Sequence, residues 1–200
     1  VLLPRMHAGL SLGSAAGAGL GAAVTAIGVT AATQFLVTAP LVAGSVALVT
    51  RSFPPPQPRP DGVATIRLRR AWREPRTLAI GTLVLAFAFT EGVANDWLAL
   101  ALTEGHHAAE AVGALGYAVF IAALAGGRLA GGPLLARTGR VVALRAMAVA
   151  GAGGVLLVVY AGSLPLALAG AALWGFGAAL GFPVGMSAAG DDPVRAAVRV

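Results

Sequence analysis

The chain has no cysteine and no lysine, and little charge of either sign. Without cysteine, disulfide frameworks and thiolate metal sites are excluded. Charged residues make up 11% of its 200 residues, where an ordinary soluble domain carries about 25%. Apolar residues make up 58%. A soluble fold must turn many side chains outward and cannot hide that much apolar surface from water. A lipid environment removes the difficulty. The formal charge of +6 is the excess of 14 basic residues, all of them arginine, over 8 acidic ones, so the placement of the arginines decides what the charge is for. The Ala, Gly, Val, Leu and Arg bias points to a bacterial source. The first eight residues carry charge and a proline rather than a signal-peptide pattern. The Val1 start and the charged ending Arg195 to Val200 give the expectation of a fragment of a longer protein.

A helix that crosses a bilayer needs about 20 mostly apolar residues. Six stretches meet this: 9–29, 32–50, 77–102, 109–131, 142–162 and 164–188. The expected fold is therefore all-α and polytopic, with six transmembrane helices. If each stretch crosses once, every loop arginine falls on one side of the membrane. The opposite loops, 30–31, 103–108 and Ser163, hold none. The positive-inside rule makes the arginine side cytoplasmic. Both termini and the linker 51–76 then lie in the cytoplasm of a cell whose inner membrane holds the protein. Pro54, Pro55, Pro56, Pro58 and Pro60 make the start of that linker extended, and it divides residues 1–50 from 77–200. Its arginines lack interleaved aromatic stacking platforms, so no nucleic-acid partner is expected; the partner is the lipid bilayer.

Glycines at four-residue spacing mark two helices. Gly13, Gly17 and Gly21 lie on one face of the first, and Gly177, Gly181 and Gly185 on one face of the last. Such stripes let neighbouring backbones approach closely, and they also suit a hinge or sliding face. Pro183 has no N–H to give the carbonyl of Ala179, which predicts a kink. Gly17, Gly19 and Gly21 also fit a loose dinucleotide fingerprint. No strand precedes them and no acid follows at the required distance, so no cofactor is expected. His106 and His107 are adjacent and cannot present two ligands on one face. With no other ligand cluster, no metal is expected; a solvated outer loop accounts for them.

The stretch 77–102 carries Glu91, Asn95, Asp96 and Trp97. A charge at the centre of the hydrocarbon costs about 3 kcal/mol on insertion scales. Glu91 lies about 14 residues, or roughly 21 Å, from the cytoplasmic start of its helix. Asn95 is one turn further on the same face, and Asp96 points elsewhere, near the outer interface. Two readings of Glu91 stay open: a proton carrier or solute contact in a wet cavity, or a structural acid hydrogen-bonded between helices. Asp96 and His7, the latter at the cytoplasmic mouth of the first helix, are weaker pathway candidates. Arg128 is expected near the cytoplasmic end of its helix, which leaves Glu91 with no arginine at its depth. No nucleophile–base or metal constellation has catalytic spacing, so no enzyme activity is expected.

Gly132, Arg137, Gly139 and Arg140 fall in the short cytoplasmic turn expected between the fourth and fifth helices. They resemble the loop signature of the major facilitator superfamily: a glycine, an acid, basic residues and a glycine. Ala136 stands where that acid usually is, which puts a carboxylate latch at this loop in doubt. Three further stretches resemble a bacterial branch related to fucose permeases: Met6 to Gly13, Glu91 to Trp97, and Leu173 to Pro183. The resemblance covers nearly the whole chain. It implies helices five through ten of a twelve-helix fold, with 51–76 as the bridge between six-helix halves and the remaining helices as missing partners. It also implies secondary active transport of a small polar solute by alternating access, with proton coupling resting on Glu91. The competing reading is a non-transporting six-helix membrane protein or assembly partner.

Overall fold

A computed structural model describes residues 9–10, 12–14, 16–17, 20–21, 23–24, 27–53 and 73–191. His7, the prolines 54–60 and the ends of the chain lie outside the described residues, as do the linker residues 61–72. Among the described residues all regular structure is helical. By internal contacts the chain forms two units, 1–15 with 66–200 and, separately, 16–65.

In the unit 16–65, the described residues between 16 and 24 are helical, and α1 follows at Ala31–Thr50. The Thr30 hydroxyl accepts a hydrogen bond from the Thr33 N–H at 3.3 Å and so caps α1. Gly17 faces open space where a Cβ would stand, as does Gly13 of the other unit, and Gly21 faces the Gln34 side chain at 3.7 Å.

The other unit is built from α2 (Pro75–Leu100), α3 (Glu110–Tyr160), α4 (Leu164–Ala178) and α5 (Gly181–Ala189). Pro75 opens α2 at a position where its missing N–H costs nothing. One π turn, Ala101–Gly105, closes it. Across both units four helical stretches are long and apolar enough to cross a membrane: Ala32–Thr50, Pro75–Gly105, Glu110–Tyr160 and Leu164–Ala189. The third has 51 residues. Straight, it would run about 77 Å, more than twice the roughly 30 Å hydrocarbon core.

It is not straight. Gly139 stands at φ 76° and ψ 163°, a left-handed conformation that favours glycine. The chain reverses there, because both arms lie on the same helix. On the first arm, Gly116 meets Leu168 and Gly127 meets Phe176 and Ala179. On the second, Gly154 meets Gly170 and Trp174, and Gly151 meets Gly177. The two arms are therefore antiparallel. The turn is shorter than the sequence suggests: residues 131–138 stay helical, since nothing between Leu134 and Thr138 breaks a helix. Gly132 and Arg137 thus belong to the first arm, and Arg140 opens the second.

The expected kink in the last helix is a break. Ala179 and Leu180 form a turn between α4 and α5, and both are fully buried. Pro183 sits in the first turn of α5, where proline is tolerated. Gly181 rests against the Phe87 ring of α2 and Gly185 against Val84. Gly175 abuts the Phe120 backbone, and Gly177 the backbones of Met147 and Gly151. A methyl at any of these four would collide with its neighbour, so the stripe Gly177, Gly181, Gly185 is a packing surface. Around it Phe120, Leu98, Leu124 and Met147 fill the core. Trp174 meets Phe120 edge to face, ring centres 5.6 Å apart.

Candidate functional site

Three polar residues within two turns of α2 reach three neighbours. Thr90 accepts a hydrogen bond from the Trp174 indole N–H of α4 at 2.9 Å. Glu91 Oε2 accepts from the Arg128 guanidinium of α3 at 2.7 Å. Asn95 Oδ1 accepts from the Tyr117 hydroxyl at 3.1 Å. Glu91 and Asn95 share a helix face, one turn apart, and form a polar seam against the first arm of α3.

The seam exists because α2 and that arm run antiparallel. Helical side chains lean towards the N-terminus of their own helix. On antiparallel neighbours, Glu91 and Arg128 therefore lean towards each other. Arg128 is 2% exposed, while the Glu91 side chain keeps 26% of its surface open. A short, charge-assisted bond joins them. Removing one partner of a buried pair leaves an uncompensated charge.

This corrects the expectation that Glu91 has no arginine at its depth. The error lay in where the helix of Arg128 ends. With that helix running to Thr138, Arg128 stands ten residues, about 15 Å, from the turn. The one signal in the sequence was an arginine inside an apolar run, Ile121 to Ala130, where an unpaired charge is costly. Arg128 also donates through Nε to the carbonyl of Ala179 at 3.3 Å.

Asp96 and Trp97 are exposed, and Asp96 forms no salt bridge among the described residues. Also among the described residues, no group of three His, Asp or Glu side chains stands together to hold a metal ion. The seam offers hydrogen bonding and one partly open carboxylate. It contains no nucleophile–base pair.

A second charged group lies at the Gly139 end. Arg140 Nη1 reaches both carboxylate oxygens of Asp191, at 2.9 and 2.8 Å, and Arg140 Nη2 reaches Ser187 at 3.4 Å. Arg76, at the start of α2, meets the same carboxylate at 3.5 Å. Arg140 therefore has a carboxylate partner although Ala136 provides none. The acid comes from just beyond α5, about fifty residues on, where no local spacing would reveal it. Arg137 is exposed. At the opposite end the His106 ring is not merely solvated. Its Nε2 lies 2.6 Å from the Val158 carbonyl, in the last turn of α3, where carbonyls lack helical partners.

The sequence matches the Major Facilitator Superfamily over residues 5–198. It is 31% identical over 199 residues to a protein of Sinorhizobium fredii described as an uncharacterized transporter, covering 96% of this chain and 51% of that one. It is 27% identical over 196 residues to an uncharacterized MFS-type transporter of Yersinia pestis, covering 98% of this chain and 50% of that one. The chain thus spans about half the length of the curated relatives it matches. No solved structure matches it. With a family match across nearly its whole length and helices apolar enough to cross a membrane, the chain belongs to the Major Facilitator Superfamily.

Proposed function

We propose that the chain serves secondary active transport of a small polar solute by alternating access, with Glu91 as the residue where protons enter the cycle. The observation that carries this reading is the Glu91–Arg128 pair. It is an ion pair set in apolar helices, with the arginine enclosed and the carboxylate partly open. A proton or a cationic group on the solute that reaches the carboxylate from its open side must compete with Arg128 for it, so occupancy of that side and the hold on the arginine are linked. Asn95 and the Tyr117 hydroxyl add neutral hydrogen-bonding groups beside it, which suits a polar solute.

The wider reading follows the family resemblance. Residues 1–50 are the last two helices of one six-helix half, and 77–200 are the first four of the other. The segment 51–76 is the cytoplasmic bridge. Six spans place both termini on the arginine-rich, cytoplasmic side of a bacterial inner membrane. The likeness of Glu91 to Trp97 and Leu173 to Pro183 to the fucose-permease-related branch supports a polar solute without naming one.

The test is transport by the full-length protein in proteoliposomes, screened against small polar solutes with an imposed proton gradient. Glu91→Gln is expected to abolish gradient-driven accumulation while sparing solute exchange in the absence of a gradient. Unchanged accumulation with an unchanged response to the gradient would make Glu91 a structural acid.

A further inference from the structure

Arg128 holds two groups at once, and they belong to different parts of the fold. One end of its guanidinium donates to Glu91 on α2 at 2.7 Å. Its Nε donates to the Ala179 carbonyl at 3.3 Å. That carbonyl is the one Pro183 leaves without its helical donor, because a residue four positions on should supply an N–H and proline has none. In an apolar surrounding a backbone carbonyl must find another partner, and a charged donor is the stronger kind. The arginine thus fills the defect that the proline creates, at the point where α4 gives way to α5.

We propose that Arg128 is a positioning residue that couples Glu91 to the break between α4 and α5, so that the geometry of the break depends on whether Glu91 holds the guanidinium. While Glu91 is charged and bonded, Arg128 is fixed with Nε facing Ala179. When Glu91 loses its charge or engages another group, the buried guanidinium loses its counter-ion and leaves this position. The Ala179 carbonyl is then unfilled, and the break is free to change its angle. Other ionisable groups near this face are few. Asp96 lies on α2 itself, and Tyr117 on α3 is bonded to Asn95. The segments of α4 and α5 contain no charged or histidine residue.

The break is enclosed closely enough for such a change to be felt elsewhere. Leu180 packs on Gly131 of the first α3 arm, and Gly181 on Phe87 of α2. A rotation at Ala179–Leu180 therefore moves α5 against both. The resting geometry of the break does not depend on transport, so this inference is testable whether or not Glu91 carries protons.

The chain has no cysteine, so labels placed in it are unique once any cysteine elsewhere in the full-length protein is replaced by serine. In the full-length protein in nanodiscs, labels at Leu166 and Gly190 flank the break. The measurement is the distance distribution between them by pulsed electron paramagnetic resonance. The unmodified background is expected to give one narrow distance. Glu91→Gln, close to isosteric, is expected to lose that single distance by a shift or a splitting. Pro183→Ala restores an N–H to the Ala179 carbonyl, so the combination of Pro183→Ala with Glu91→Gln is expected to stay narrow. Arg128→Lys keeps a charge for Glu91 but has all its donors on one terminal nitrogen and none at the Nε position that faces Ala179, and is expected to behave like Glu91→Gln. A distribution unchanged by Glu91→Gln overturns the proposal. So does a Glu91→Gln effect that persists undiminished beside Pro183→Ala. Should Arg128→Lys fail to reach the membrane, the two Glu91→Gln measurements decide the matter alone.

Discussion

Among the described residues, two short arginine–carboxylate pairs of similar geometry stand in opposite surroundings. Arg128–Glu91 joins α2 to α3 at 2.7 Å, with the arginine enclosed among apolar side chains. Arg140–Asp191 joins the turn at Gly139 to the end of α5 at 2.8 Å, with both side chains well exposed. Distance alone would rank them equal. Their surroundings do not. Water competes for the second pair and screens it, which leaves such bonds about 0–1 kcal/mol. The first pair has little water to fall back on, and losing one partner strands the other.

The sharpest way to break this comparison is Arg128→Leu. It should destabilise the full-length protein by roughly 3–5 kcal/mol, towards the lower end because Glu91 keeps some open surface. The thermal midpoint in detergent would fall markedly. A loss no larger than that of an exposed pair would mean that Glu91 finds water readily, and that the seam is wetter than its packing indicates.

Gly175→Ala offers a scale between the two pairs. The added methyl meets the Phe120 backbone, which cannot rotate away as a side chain can. Overpacking of this kind costs about 1–3 kcal/mol. Stability measured beside that of Arg128→Leu places the ion pair against simple packing. An unaffected midpoint would show that α4 can withdraw from α3 at little cost.

Asp191→Asn should have the smallest effect, at most about 1 kcal/mol and fading with added salt. A loss that matches Arg128→Leu, or ignores salt, would show that the group at Arg140 is shielded from solvent and erase the distinction.

Much of this architecture was legible beforehand. Long apolar runs fix helices because every backbone group in lipid must be satisfied within its own segment. The kink near Pro183 followed from one missing N–H, and the structure places the break at the carbonyl that lost it. The glycines of the last helix announced close approach and show it. Gly13 and Gly17 carry the same spacing with nothing within 4 Å of a Cβ position, because spacing reveals a smooth face and not its occupant. The partners of Glu91 and Arg140 were less accessible. Both pairs cross between helices far apart in sequence, and Arg128 was misplaced because Gly131 and Gly132 look like a helix end. A helix buried against neighbours tolerates glycine pairs when close packing compensates for their weak propensity. Only the positive φ at Gly139 stops it.

That single-residue turn also limits how α3 can behave mechanically. A long loop would provide slack, letting one arm travel along its axis while the other stayed still. Gly139 provides none, and at the far end the His106 ring fastens the second arm to the segment that leads into the first. Axial play between the arms would require unwinding a turn of helix or releasing that ring. The hairpin behaves as one stiff strut, and a push on either arm is carried by both.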